Sequence, residues 1–426
     1  MTDFPSVSNR AIEEPHTERR LWQPDHVLVQ RGLRNHHVVE EILDRCTTTD
    51  VREVDVVPGQ SDSDLLTACL DLSGEATQAK PLSSLARRTL LLVDSTELFQ
   101  QMAAGETMQR RCFNFLKILP YTGTCPYNCS YCWFRDPVLI PRVNARFFDH
   151  LPAQLNRLRE QGRVPTVFTF THYKSDCFAI DHLTGYARLA ADVFEQEPGF
   201  TVQFLSKAHH VDTLLERPPH RGTIVTFSVN APWISRRVDL GTSSIEERLD
   251  AARRLWRAGV PVMLRIDPLL VFDGWREGYE ELAGAIFGRF MPEHITIGTP
   301  RFQTLAELSR VVDATQNHDA RQFMEAQREL MSNYKPGSPN ASDEYKHYFS
   351  NMSVSYSDDI RLSLYRHMID RLRAYAPDVA LGLCEEPKEI WDAVGLPWLG
   401  DKTRDCSCNF IPQLLRRNGA GLPSES

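Results

Sequence analysis

Short runs of apolar and β-branched residues recur through the middle of the chain at 115–119, 167–170, 202–205, 223–229, 260–266 and 294–297. Between them, at 151–160, 182–195, 244–258 and 279–287, apolar residues return every three or four positions, the spacing that lines one face of a helix. Strand and helix in alternation predict parallel βαβ units with six strands in one sheet. Upstream, short apolar runs at 27–29 and 90–93 flank an amphipathic segment at 38–46, which predicts a small α/β domain over residues 25–110. Residues 1–24 are polar and mixed in charge and read as a mobile arm. Past residue 300 the pattern is helical at 304–314, 320–332 and 358–375, with a polar loop at 335–342, so residues 301–426 read as a mainly helical C-terminal extension.

Composition narrows the class. A chain of 426 residues with 42% hydrophobic content can bury a large core. Glu13 and Glu14 stand beside Arg10, Arg19 and Arg20 with no apolar run after a basic start, which does not read as a signal peptide. The most apolar stretch, 260–272, is broken by Arg265 and Asp267 and falls short of a membrane span of ~18 residues. The expectation is a cytoplasmic protein with no membrane partner, whose 10 cysteines serve as metal ligands or free thiols rather than as disulfides. A net charge of −8 leans against nucleic acid, since a dedicated binder carries a basic stripe to neutralise phosphates. Arg110, Arg111, Arg135, Arg142, Arg146, Arg236 and Arg237 could line a local groove, and solvated surface charge accounts for them equally well.

The densest chemical signal is Cys125-Pro-Tyr-Asn-Cys129-Ser-Tyr-Cys132. Two further cysteines falling at fixed offsets by accident has a chance on the order of 0.5% at this cysteine content. Zinc is a rival, but structural zinc sites draw four ligands from two close pairs, and three are clustered here. Iron–sulfur clusters are held by thiolates at such short spacings, and three ligands leave one iron open.

The Cys-x3-Cys-x2-Cys pattern, with Tyr131 just before Cys132, resembles the radical S-adenosylmethionine (SAM) superfamily. Within it, Ser175-Asp176, Ile180-Asp-His-Leu-Thr184, Lys207-Ala-His-His-Val-Asp212, Phe227-Ser-Val-Asn230 and Gly274-Trp-Arg-Glu-Gly-Tyr279 look like the spore photoproduct lyase family, in that family's order, from about residue 27 to about residue 384. The resemblance implies a partial (β/α)6 TIM-type barrel over 111–300, with the cysteines in the loop after the first strand. It implies a 4Fe-4S cluster on Cys125, Cys129 and Cys132, SAM on its open iron, and an electron donor such as flavodoxin or ferredoxin. Ser175, Lys207, Ser228 and Asn230 match positions that hold SAM, with polar capping of a barrel mouth as the plainer account. Arg265, in an otherwise buried strand, joins them as a ligand contact or as half of an ion pair with Asp267.

Two departures bear on the reaction. Family members that repair DNA carry a cysteine three residues before the Asp of the Ser-Asp pair, and this chain has Tyr173 there. Cys177, four residues on, and Tyr173 itself are then the candidate hydrogen donors, Cys177 being equally readable as a small buried hydrophobe. Further along, where DNA-repairing members have a strongly basic strand pair, 343–351 holds one Lys against two acids. Cys384, Cys406 and Cys408 add a possible auxiliary metal site, or are loose thiols. On these departures the favoured expectation is hydrogen abstraction from a small, nucleotide-like substrate in biosynthesis. A DNA lyase splitting a thymine photoproduct is the alternative, and a zinc-stabilised non-catalytic module is the remote one.

Overall fold

The computed structural model describes residues 21–70, 82–100, 115–132, 138–162, 166–170, 175–219, 222–302, 304–315, 317–332, 354–384, 386 and 388–397. Tyr173, Cys406, Cys408, Arg110, Arg111, Arg135 and the 343–351 stretch lie outside them.

All six strands expected in the middle of the chain form one sheet, in the order Ile295–Ile297, Val262–Ile266, Thr223–Ser228, Phe200–Ser206, Thr166–Phe170 and Phe115–Ile118, every neighbouring pair parallel. All of Thr223–Ser228, together with most of the other strands, is buried, as parallel strands covered on both faces must be. Among the described residues the sheet runs on at both edges instead of closing: Phe99–Gln100 adds antiparallel to Phe115–Ile118, and Leu381–Leu383 adds parallel to Ile295–Ile297. This is the α/β partial barrel that the resemblance implies.

The helices follow their apolar spacing, with local chemistry setting the ends. Ile245–Arg257 begins on a reciprocal capping box, in which Ser244 Oγ accepts from Glu247 N at 3.1 Å and Glu247 Oε2 accepts from Ser244 N at 2.6 Å. The helix expected over 182–195 is divided into Asp181–Thr184 and Tyr186–Gln196, because Gly185 takes a left-handed conformation with φ 68° between them. Such a conformation costs little only at glycine.

A second sheet has the order Val51–Val54, His26–Gln30, Thr89–Val93, Arg142–Asn144 and Tyr121–Thr122. Its last two strands come from either side of the cysteine loop, so this sheet grips both roots of that loop. One apolar cluster runs from Val27 and Leu90 through Phe168 and Phe204 to Leu264 and Ile297, and a smaller one covers the other face of the N-terminal sheet around Leu28, Leu66 and Leu91. After residue 300 the helices Leu305–Asp313, His318–Ser332, Asp358–Tyr375 and Lys388–Ala393 are joined by the antiparallel pair Arg301–Phe302 and Val354–Ser355. Among the described residues no helix is long and apolar enough to cross a membrane.

Candidate metal centre and barrel mouth

The cysteine loop leaves the first barrel strand through Tyr121–Thr122 and turns at Gly123, whose φ is 79°. A Cβ there would lie 1.8 Å from the Ile140 carbonyl oxygen, so the two roots of the loop approach too closely for any other residue. The loop is then tied down by backbone bonds. Asn128 N donates to Leu240 O at 2.9 Å, Ser130 N to Val238 O at 2.8 Å, and Cys132 N to Cys129 O at 3.1 Å.

Cys125, Cys129 and Cys132 are all free of disulfides. Burial pushes the Cys125 thiol well up, and Asp176, Cys129 and Cys132 push it further. Burial likewise lifts Cys129 to about 12, against the pull of the Lys207 ammonium. Thiols that raise one another in this way are near neighbours, and a metal that takes them as thiolates removes the penalty. Among the described residues no three His, Cys, Asp or Glu side chains converge so as to hold one ion. Three thiols free of disulfides on one tethered loop are the kind of donor set that a cluster takes, each thiolate binding a different iron.

Behind the loop sits an ion network whose Asp239 and Arg248 side chains are fully buried. Asp239 Oδ1 accepts from Lys207 Nζ at 2.7 Å and from the Tyr131 hydroxyl, while Oδ2 accepts from Arg248 Nη1 at 3.1 Å. Lys207 Nζ also donates to the Tyr131 hydroxyl and lies 4.8 Å from the centre of its ring. Arg248 is saturated by Ser243 O, Ser228 O and Thr242 Oγ1 besides the carboxylate. Burial alone would raise Asp239, but Lys207 and Arg248 overcome it and hold the carboxyl down at about 2. Asp239 and Arg248 escaped the sequence reading. The signal was a cation at position 248 on the apolar stripe formed by Ile245, Leu249 and Ala252.

Asp176 ties the ends of the second and third barrel strands together. Its Oδ1 accepts from Phe178 N and Ala179 N at 3.0 Å each and from Ser206 Oγ at 2.7 Å, and its Oδ2 from Lys207 N at 2.6 Å. Burial nevertheless raises its carboxyl above the usual range. Ser175 is half-buried beside it, at the mouth.

The other expected residues divide. Ser228 stands in register with Arg265 on the next strand, so both side chains leave the same face of the sheet. Asn230 is occupied at both ends: Nδ2 donates to Pro268 O at 2.8 Å and Oδ1 accepts from Ala231 N at 2.9 Å. Arg265 pairs with Asp267, Nε at 3.1 Å and Nη2 at 2.6 Å, and Nη2 also donates to Cys384 Sγ at 2.8 Å. Arg301 completes this group, donating to Asp267 Oδ2 at 3.3 Å and to Cys384 O at 2.8 Å. Burial opposes the ionised form of Asp267, yet Arg301 and Arg265 hold its carboxyl below the usual range. Cys384 is thus built into the barrel sheet beside Arg265. Cys177 is fully buried, its thiol donating to Phe170 O at 3.0 Å and accepting from Leu205 N at 3.3 Å, so in this conformation it bridges two strands inside the core.

A family model described as "Spore photoproduct lyase" matches residues 116–299. The spore photoproduct lyase of Bacillus subtilis (strain 168) is 30% identical over 173 residues, 38% of this chain and 48% of that protein. That of Geobacillus sp. (strain Y412MC61) is 31% identical over 170 residues, 38% of this chain and 49% of the relative. The chain therefore matches about half the length of these relatives. Among solved structures, a spore photoproduct lyase complexed with dinucleoside spore photoproduct superposes with a TM-score of 0.62 at 20% identity, covering 85% of this chain and 99% of that one. A variant of that enzyme with bound AdoMet and the same dinucleoside gives 0.61 at 20%, with the same coverage. The family match spans the barrel strands and the cysteine loop, and the solved structures share the fold.

Proposed function

We propose that this chain, whose barrel is similar to that of spore photoproduct lyases, is a radical SAM lyase that acts on a thymine photoproduct in DNA. This reverses the order expected from charge and from the departures at Tyr173 and at 343–351, where a small nucleotide-like substrate was favoured. The relatives are spore photoproduct lyases, and the similar structures hold a dinucleoside photoproduct; neither supports a free nucleotide of biosynthesis. The observation that carries the reading is the tethered loop of Cys125, Cys129 and Cys132 at the carboxyl end of the first strand, within the stretch matched by the family.

Those three cysteines would hold the 4Fe-4S cluster, and Ser175, just past Thr166–Phe170, and Ser228, at the end of Thr223–Ser228, are the residues that would meet SAM, with Phe200–Ser206 between their strands. When bound, the cluster would supply one-electron reducing power for homolysis of the SAM sulfonium bond and so hydrogen-atom abstraction from the lesion. The chain's own part is to seat the loop through Leu240 and Val238, to keep the mouth cationic through Arg265 and Arg301, and to enclose the reacting atoms. Cys177 is turned into the core, where its thiol bonds Phe170 O and Leu205 N, so of the two expected hydrogen donors Tyr173 stays the candidate.

The test is SAM cleavage by anaerobically reconstituted protein with a one-electron reductant. Dinucleoside spore photoproduct or ultraviolet-irradiated DNA should stimulate release of 5'-deoxyadenosine and yield repaired thymines. Stimulation by a nucleotide pool, with none by either lesion, would restore the small-molecule reading.

A further inference from the structure

The segment Val238–Leu240 touches the cysteine loop three times. Two contacts are the backbone bonds from Asn128 and Ser130, and the third is the Asp239 carboxylate, which takes the hydroxyl of Tyr131, the residue next to Cys132. The same carboxylate holds Lys207 Nζ at the end of the third strand and Arg248 on the helix Ile245–Arg257. Side chains of Asp239 and Arg248 are wholly enclosed and that of Lys207 is 16% exposed, so solvent screens these charges weakly.

We propose that Asp239 is a positioning residue for the cysteine loop and that, with Lys207, it sets the reduction potential of the centre held by Cys125, Cys129 and Cys132. The proposal rests on the reading of those cysteines as cluster ligands. The physics is that of a fixed charge beside a redox centre. Reduction adds an electron, so a nearby cation favours the reduced state and a nearby anion disfavours it. Lys207 reaches the loop twice, directly at the Tyr131 hydroxyl and through the Asp239 carboxylate that the same hydroxyl meets, so its ammonium is anchored as part of the loop's seat.

The experiment is an anaerobic redox titration of reconstituted wild type, Asp239→Asn and Lys207→Gln, followed by electron paramagnetic resonance, with iron and sulfide counted per chain. Asp239→Asn leaves the ammonium uncompensated and should raise the reduced-to-oxidised ratio at a fixed potential roughly tenfold. Lys207→Gln should lower it by a similar factor, as expected for one charge acting across a weakly screened interior. Shifts of opposite sign support the proposal, because loosened packing alone gives no reason for the sign to follow the charge. Shifts of one sign, or none, overturn it. If Asp239→Asn does not fold, Lys207→Gln decides alone: a lower ratio supports, an equal or higher one overturns. Wild type without iron and sulfide overturns the cluster reading itself, an outcome distinct from an intact cluster whose potential ignores both substitutions.

Discussion

Two carboxylates at the barrel mouth each sit between two cations, yet they are built differently. Asp239, between Lys207 and Arg248, is fully enclosed and joined through Tyr131 to the cysteine loop. Asp267, between Arg265 and Arg301, keeps 11% of its side chain exposed, and its neighbours bond Cys384 instead of the loop. The first is a buried joint that positions another element. The second is a partly open group whose cations can meet an anionic ligand. Equal charge counts therefore serve unequal roles, and burial and connectivity decide which is which.

The widest gap between the two regions should appear in stability. Asp239→Ala strands Arg248 in the interior and should cost about 3–5 kcal/mol in denaturant unfolding of the apoprotein, whereas Asp267→Ala, with water in reach, should cost about 1–3 kcal/mol. Equal losses would erase the distinction.

Next in size are two glycines, one beside each region. In Gly123→Ala the new Cβ meets the backbone oxygen of Ile140, which cannot move without shifting a strand, and the left-handed φ adds about 1–2 kcal/mol. Loss of bound iron together with stability is the expected result. In Gly298→Ala the Cβ would lie 2.7–2.9 Å from the Asp267 carboxyl group, a side-chain end that can shift, so stability should fall less and iron content should hold.

Acid sensitivity sharpens the contrast further. The Asp239 carboxyl is held at about 2 against an ordinary 3.8, so its stabilisation is present above 3.8 and is lost as pH falls through about 2. Burial pushes Asp181 the other way, to about 6, and its contribution is present below 3.8 and lost as pH rises through about 6. Unfolding free energy of Asp239→Asn should therefore drop less than that of wild type between pH 4 and 2, and Asp181→Asn should flatten the decline between pH 4 and 6. The smallest effect belongs to Cys384→Ala. It removes one acceptor from Arg265, should cost about 1 kcal/mol, and should leave the iron count unchanged, against the expectation of an auxiliary cluster there.

The six barrel strands were legible because each is a run of apolar and β-branched residues bounded by breakers, and burial on both faces leaves that pattern in any reading frame. Leu381–Leu383 escaped, since three residues carry no period and only pairing with Ile295–Ile297 makes them a strand. The cysteine loop was visible in its spacing. The seat beneath it was not, because Asp239 and Arg248 acquire meaning only when Lys207, Tyr131 and Ser228 arrive from distant strands and loops. Cys177 was open in the sequence to two readings, hydrogen donor or small buried hydrophobe, and only the arrival of Phe170 and Leu205 around its thiol shows its place inside the core.

The central claim is that Cys125, Cys129 and Cys132 carry an iron–sulfur cluster that cleaves SAM. Anaerobic reconstitution, with metal and sulfide counting before and after Cys129→Ala, tests it most directly. The account predicts about four iron and four sulfide per chain in wild type, with 5'-deoxyadenosine released on reduction, and loss of both in the variant. A colourless wild-type protein holding zinc, and releasing no adenosyl fragment from SAM, would contradict it.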